Sequence, residues 1–234
     1  MSDLSQRTTL VVGASRGLGR GIATAFAEAG APVVAVARTR AALTELADSS
    51  ASLLDRYEPD VVVVVAGASP HMRPLQQQTW ETFSVNWQTD VRITFHWLRE
   101  ALLKPLRPGS RVVVFSSGAA ANPNGSPLSG GYAGAKATQR FITGYARDEA
   151  TRAGLDITFT TVLPYFAPAT GVGRPAVQAY AARAGQSVEE FLEQQGSLVT
   201  KEIAGAALIE LVQADATTVA AGYRLSGAGL EKLP

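Results

Sequence analysis

Thr8-Thr9-Leu10-Val11-Val12-Gly13-Ala14-Ser15-Arg16-Gly17-Leu18-Gly19 runs from apolar, largely β-branched residues into a turn holding three glycines, and then into a stretch of helical spacing that reaches Ala29. A strand that turns in this way into a helix exposes unpaired N–H groups and a partial positive charge, and glycines let a pyrophosphate reach that backbone with no Cβ in the way. The placement suits a dinucleotide; isolated glycines would read only as a tight turn. No Lys-Ser or Lys-Thr pair follows Gly19, so the turn does not match a nucleoside triphosphate loop.

Outward from this turn, short β-branched runs recur at 8–12, 32–36, 61–65, 111–115 and 157–162, and each predicts a strand buried on both faces. Stretches of helical spacing lie between them, including 18–29, 85–103 and 132–152. Strands that alternate with connections too long for hairpins predict an α/β chain, a three-layer doubly wound parallel sheet. Two stretches break the rhythm. From 39 to 60 no strand is visible and there is room for one or two short helices, so the sheet is expected to lack one edge strand. From 165 to 196 the chain is rich in Pro, Gly and Ala, and Ser187 and Glu190 stand at the offset of a capping box. An excursion after a strand's carboxyl end lies where open α/β sheets bind ligands, and it reads as a lid.

Composition narrows the function. The 234 residues are 46% hydrophobic and 18% charged, which excludes global disorder and fits one domain. The 21 basic and 20 acidic side chains leave a charge of +1 and no electrostatic footprint for nucleic acid or an anionic membrane, so any anion is bound locally. The absence of cysteine excludes disulfides, thiolate catalysis and thiolate metal sites. No apolar run approaches the roughly 18 residues of a membrane span. Residues 1–7 lack an apolar signal core, so a cytoplasmic protein is expected.

Arg38 follows the end of the second run, nineteen positions after Gly19, near where an acidic residue would hold the adenosine ribose of NAD. No carboxylate occurs before Glu45, and a guanidinium there, supported by Arg16, would pair with the 2′-phosphate of NADP. The competing reading is a pair of solvated surface arginines. Further along, Tyr132 and Lys136 are spaced i, i+4, one helical turn apart on one face. A phenol titrates near 10 in isolation, and a neighbouring ammonium favours phenolate, which makes Tyr132 a candidate acid or base. Ser116 and Ser117 end the fourth run, where a hydroxyl can donate to a carbonyl oxygen. Hydrolysis is disfavoured, because His71 and His96 are the only histidines and no Gly-x-Ser-x-Gly elbow occurs. Neither histidine has a partner at metal-ligand spacing, and no metal site is expected.

Taken together, the glycine turn, the Ser-Ser pair and Tyr132 with Lys136 resemble the short-chain dehydrogenase/reductase family over nearly the whole chain. The Ile203-Ala204 helix and the Gly222-Tyr223-Arg224-Leu225 strand resemble its carboxyl terminus. The resemblance implies a Rossmann-like fold in a single dinucleotide-binding and catalytic domain, 1–234. It also implies hydride transfer between NADP and a carbonyl or alcohol substrate, and a homodimer or homotetramer paired through the two long helices. By the same resemblance Ser117 orients the substrate carbonyl, with Ser116 as the competing choice. Tyr132 transfers the proton, Lys136 lowers the tyrosine pKa and binds the nicotinamide ribose, and Asn86 holds a water of the proton relay. Gly13, Ser15, Arg16, Gly17, Leu18, Gly19, Arg38, Ala66, Gly67, Pro164 and Thr170 join Tyr132 and Lys136 in lining the cofactor, Thr170 in the role that binds the carboxamide.

The chain departs from the family pattern in four places. Tyr132 follows Ser117 by fifteen residues, slightly more than in most relatives, and Asn122-Pro123-Asn124-Gly125-Ser126-Pro127 forms a loop to absorb the difference. Val63-Val64-Val65 precedes Ala66-Gly67 where the family has two asparagines, and valines cannot replace their hydrogen bonds. The strand and acidic residue that hold the adenine edge are missing from 39–60. Tyr165 replaces the glycine after Pro164, where its ring would stack on the nicotinamide or obstruct it. The alternative function is a catalytically weak nucleotide-binding sensor or partner subunit. Tyr165, Phe166, Tyr180 and Phe191 make the lid aromatic, which fits an apolar substrate or rings that only pack the lid.

Overall fold

Valine-rich runs buried on both faces pair most economically with each other, and in the computed structural model, which describes residues 4–37 and 49–234, they do so in parallel. Strands β1 (Thr9–Val12), β2 (Val33–Val36), β3 (Val61–Val64), β4 (Ser110–Phe115), β5 (Ile157–Pro164), β6 (Gly222–Ser226) and β7 (Gly229–Lys232) form one open sheet in the order β2-β1-β3-β4-β5-β6-β7. All pairs are parallel except β6 with β7. The six strands read from the sequence are present, and β7 adds a seventh as the return arm of a hairpin.

Side chains alternate between the two faces with the period of two that strands impose. Val11, Val61, Val63, Val113 and Phe115 pack under helices α1 (Gly17–Glu28) and α8 (Lys201–Gln213). Leu10, Val12, Val62, Val64, Val112 and Val114 pack on the opposite face, against α2 (Ser50–Tyr57), α4 (Arg92–Leu103) and α5 (Gly130–Arg152). β1, β3 and β4 are wholly buried, whereas β2 is half-exposed because it is the sheet edge among the described residues. Between β2 and β3 the described chain forms only α2; Arg38 and the rest of 38–48 lie outside the described residues.

The expected helix over 85–103 is instead three pieces: α3 (Trp80–Asn86), a π-helical turn (Trp87–Val91) and α4. Thr79 and Thr82 close a reciprocal capping box that starts α3 five residues ahead of the expected position. The excursion at 165–196, read from the sequence as a lid, holds α6 (Gly173–Ala184) and α7 (Val188–Glu193), and Ser187 and Glu190 make the capping box read from the sequence. No helix among the described residues is long and apolar enough to cross a membrane.

Candidate active site

The chain runs from β1 to β2 on one side and returns through β3 on the other, so a crevice opens at the carboxyl ends where the direction switches. The glycine turn after β1, the Ala66-Gly67-Ala68 loop after β3, Ser116 and Ser117 after β4 and the lid after β5 all line one cavity of about 800 Å³ there. Gly13, Ser15, Arg16, Gly17, Leu18, Gly19, Ala66, Gly67, Ser117, Tyr132, Lys136, Pro164 and Thr170, assigned to the site from the sequence, share its wall.

The turn is built for close approach. Gly13 has φ +102°, and a Cβ there would stand 2.7 Å from the amide nitrogen of Ala66. A Cβ at Gly19 would stand 2.3 Å from the carbonyl oxygen of Gly13. Helix α1 starts at Gly17 with extended backbone at Arg16, and no side chain caps it. Its first turn therefore offers backbone N–H groups and partial positive charge toward the cavity. The Arg16 guanidinium lies along Gly171 of the lid, and Thr170 stands over Gly17. The Thr170 hydroxyl donates to Ala167 O (2.8 Å) and accepts from Gly173 N (2.9 Å), so it braces the lid's own turn.

The two serines divide. Ser116 is buried and donates to the backbone oxygen of Lys136 at 2.7 Å, tying β4 to α5. Ser117 accepts from Ala119 N at 3.2 Å, an arrangement that leaves its hydroxyl hydrogen able to donate into the cavity. Tyr132 and Lys136 stand in the first two turns of α5, with the Lys136 Nζ 5.5 Å from the centre of the Tyr132 ring.

Lys136 is also held from a direction the sequence reading missed. Its Nζ pairs with Asp90 Oδ2 at 3.0 Å, and both side chains are buried. Burial opposes the ammonium, but the Asp90 carboxylate, with Tyr132 and the hydrogen bond to Asp90, outweighs it and holds the amine above its ordinary value. Asn86, at the end of α3, donates to Ala68 O (2.8 Å) and Asp90 Oδ2 (3.3 Å), and its Oδ1 is buried with no partner. That orphaned oxygen is a place for a water. One signal did point to Asp90: Asn86, Asp90, Thr94 and Trp97 recur at helical spacing on the inward face.

Tyr165 lines the cavity. Its ring lies on Gly118, where a Cβ would come within 2.8 Å of Cδ2, and Arg224 covers it 4.2 Å from the ring centre. The next residue, Phe166, takes φ +38°, an uncommon conformation for a bulky side chain, as the chain turns from β5 into the lid. Phe166 and Phe191 meet edge to face at 6.1 Å, and the Tyr180 hydroxyl meets Ser129 Oγ at 3.2 Å, so the lid rings pack one another and also face the cavity. His71 is exposed on a loop and His96 stands edge-on to Phe95 on α4; neither lines the cavity.

Residues 7–57, from before β1 through α2, match the family described as short chain dehydrogenase. The hydroxynaphthalene reductase-like protein Arp2 of Metarhizium majus (strain ARSEF 297) is 30% identical over 189 residues, 69% of this chain and 68% of that protein. Among solved structures, a short chain dehydrogenase from Mycobacterium avium superposes with a TM-score of 0.73 at 20% identity, covering 100% of this chain and 86% of that one. Sorbitol-6-phosphate 2-dehydrogenase SrlD from Erwinia amylovora gives 0.78 at 14% identity, covering 94% and 98%.

Proposed function

The chain belongs to the short-chain dehydrogenase family of oxidoreductases, and from that premise we propose that it is an NADP(H)-dependent carbonyl reductase or alcohol dehydrogenase acting on an apolar, ring-bearing substrate. The observation that carries this reading is the meeting of Tyr132 and Lys136 in the same cavity wall as the glycine turn and Ser117.

The residues fit a dinucleotide. The backbone of Gly13 to Gly19 and the uncapped start of α1 would hold the pyrophosphate. Arg16, with Arg38 in sequence reach and no carboxylate nearby, would hold a 2′-phosphate, which favours NADP over NAD. Nicotinamide, when bound, supplies the hydride. Ser117 donates a hydrogen bond to the substrate oxygen and fixes its position, a role that the bond of Ser116 to the backbone oxygen of Lys136 favours for Ser117. Tyr132 gives the proton to that oxygen in reduction and takes it back in oxidation. Lys136 stabilises the tyrosine as its proton leaves, and Asn86 holds a water at its unpartnered Oδ1. Ala66 and Gly67 line the cavity, and Thr170 lines it over Gly17, where it would meet the carboxamide.

One domain carries both the cofactor and the catalytic groups, with 165–196 as its lid. The aromatic lid and the name of the Metarhizium relative together favour a carbonyl compound bearing fused rings. Phe95 on α4 and Phe141 and Tyr145 on α5 are each half or more exposed, an apolar face on the two long helices that suits pairing with a second copy. A cofactor-binding sensor is the second reading, favoured by the commitment of the Lys136 ammonium to Asp90. Fluorescence titration with NADPH and NADH, followed by a panel of aromatic ketones and alcohols, separates the two. Tighter binding of NADPH with turnover supports the enzyme, binding without turnover supports the sensor, and tight NADH with weak NADPH removes the arginine argument.

A further inference from the structure

A buried carboxylate stands in the cavity wall for which the reaction above names no task. Asp90 is fully buried in the π-helical turn, a distortion of the kind often found at functional sites. Its Oδ1 accepts from the amide of Ala68 (2.8 Å) and the hydroxyl of Thr89 (2.8 Å), and its Oδ2 accepts from Asn86 Nδ2 (3.3 Å) and pairs with Lys136 (3.0 Å). The loop after β3 closes over it so tightly that a Cβ at Gly67 would stand 2.8 Å from Oδ2. A carboxylate this deep is tolerated only when fully paired, and Lys136 is the cation that pairs with it.

The groups facing Lys136 are few. Its own helix offers Tyr132 and the π-turn offers Asp90; β4 offers only the carbonyl of Phe115 at 3.5 Å, and α3 only the neutral amide of Asn86, which reaches Asp90. The polar chain therefore runs Asn86, Asp90, Lys136, Tyr132. Resting on the oxidoreductase reading, we propose that Asp90 is a positioning residue: its carboxylate anchors the Lys136 ammonium and offsets the charge with which that ammonium would otherwise draw the proton off Tyr132. When both hold their protons, the Tyr132 and Lys136 couple carries one positive charge, and a fixed negative charge beside it stabilises that state. The couple then gives up its first proton at higher pH than it would without Asp90, whichever atom releases it. A reductase gains from a couple that holds its protons to higher pH.

The sequence has four lysines, Lys104, Lys136, Lys201 and Lys232, so ε-carbon-labelled lysine gives a resolvable NMR titration of the protein without cofactor. Lys136→Met assigns the Lys136 signal. Lys136 is expected to lose its proton above the other three, and Asp90→Asn to bring it down by about 1 to 3 pH units. The alkaline limb of kcat/KM for NADPH-dependent reduction should move down with it, which a purely structural carboxylate would not produce. If Asp90→Asn leaves the lysine titration and that limb in place, the proposal fails. Should the variant not fold, the wild-type titration decides: Lys136 deprotonating below the exposed lysines overturns the anchoring. A lysine shift in a protein that reduces no carbonyl compound refutes the proposed activity and Asp90's part in it, while the anchoring stands.

Discussion

Arg111 in β4 and Lys136 on α5 beside it are both buried cations, at opposite ends of the sheet, and their surroundings treat them in opposite ways. Arg111, at the amino end, donates to the carbonyl oxygens of Gly109 (3.0 Å) and Ala214 (3.3 Å) and to Thr158 Oγ1 (3.2 Å), while its Nε is buried without a partner. Burial first, and then the neighbouring charge of Arg7, push its pKa down, against the pull of Asp156 and Asp215. Lys136, at the carboxyl end, has a carboxylate in contact and a raised pKa, and it faces a cavity. The guanidinium ties strand ends together through neutral acceptors, whereas the ammonium is held as part of a charged couple beside a phenol. That second environment is the one in which proton chemistry is arranged.

The largest break in this comparison comes from Lys136→Met, which leaves the Asp90 carboxylate buried without its countercharge. We expect a stability loss of about 3 to 5 kcal/mol by urea denaturation, together with loss of NADPH turnover. Adding Asp90→Val should restore most of the stability, since an apolar pair can replace a buried ion pair, and should leave turnover lost. Recovery of turnover in the double variant would remove Lys136 from the mechanism. Arg111→Met is expected to cost less, about 1 to 3 kcal/mol from carbonyls left without their donor, with kcat unchanged. A fall in kcat beyond about threefold would show that the two ends of the sheet are not separate in function.

The smallest effect is one of pH. The folded pKa of Lys136 lies above its unfolded value of about 10.4, so the stability it contributes is full below that value and is lost as pH rises through the folded one. Urea midpoints measured from pH 9 to 12 should fall more steeply for the wild type than for the variant with Lys136→Met and Asp90→Val. Parallel slopes would mean that the pair adds no proton-linked stability.

The carboxyl-end crevice was legible in the sequence because each of its parts sits where strand meets helix or loop. Val12-Gly13 and Phe115-Ser116-Ser117 mark strand ends, and Tyr132 with Lys136 marks a helix face. The choice between the serines was not legible, since it depends on which hydroxyl reaches the Lys136 carbonyl across the fold. The π-turn was hidden for a related reason. Apolar periodicity continues from Val85 to Leu103, and the extra residue that changes the turn leaves no break in the pattern. The depth of the turn is what makes Asp90 the partner of Lys136. β7 was missed because Gly229-Leu230-Glu231-Lys232 is short and half polar, and its pairing is specified by the hairpin with β6. At Tyr165 the sequence offered only the alternatives of stacking on the nicotinamide or blocking it. The structure adds that its ring lines the cavity between Gly118 and Arg224, contacts that no local pattern encodes.

The central claim is that Tyr132 moves a proton in a nicotinamide-dependent reaction within this cavity. Tyr132→Phe removes one oxygen and leaves the ring that faces Lys136. The measurement is NADPH affinity by fluorescence and the single-turnover rate with an aromatic ketone, on the wild type and on this variant. We expect affinity kept within about threefold and a rate lowered by about 10² to 10⁴. A variant that binds NADPH and reduces the ketone at the wild-type rate would contradict the account.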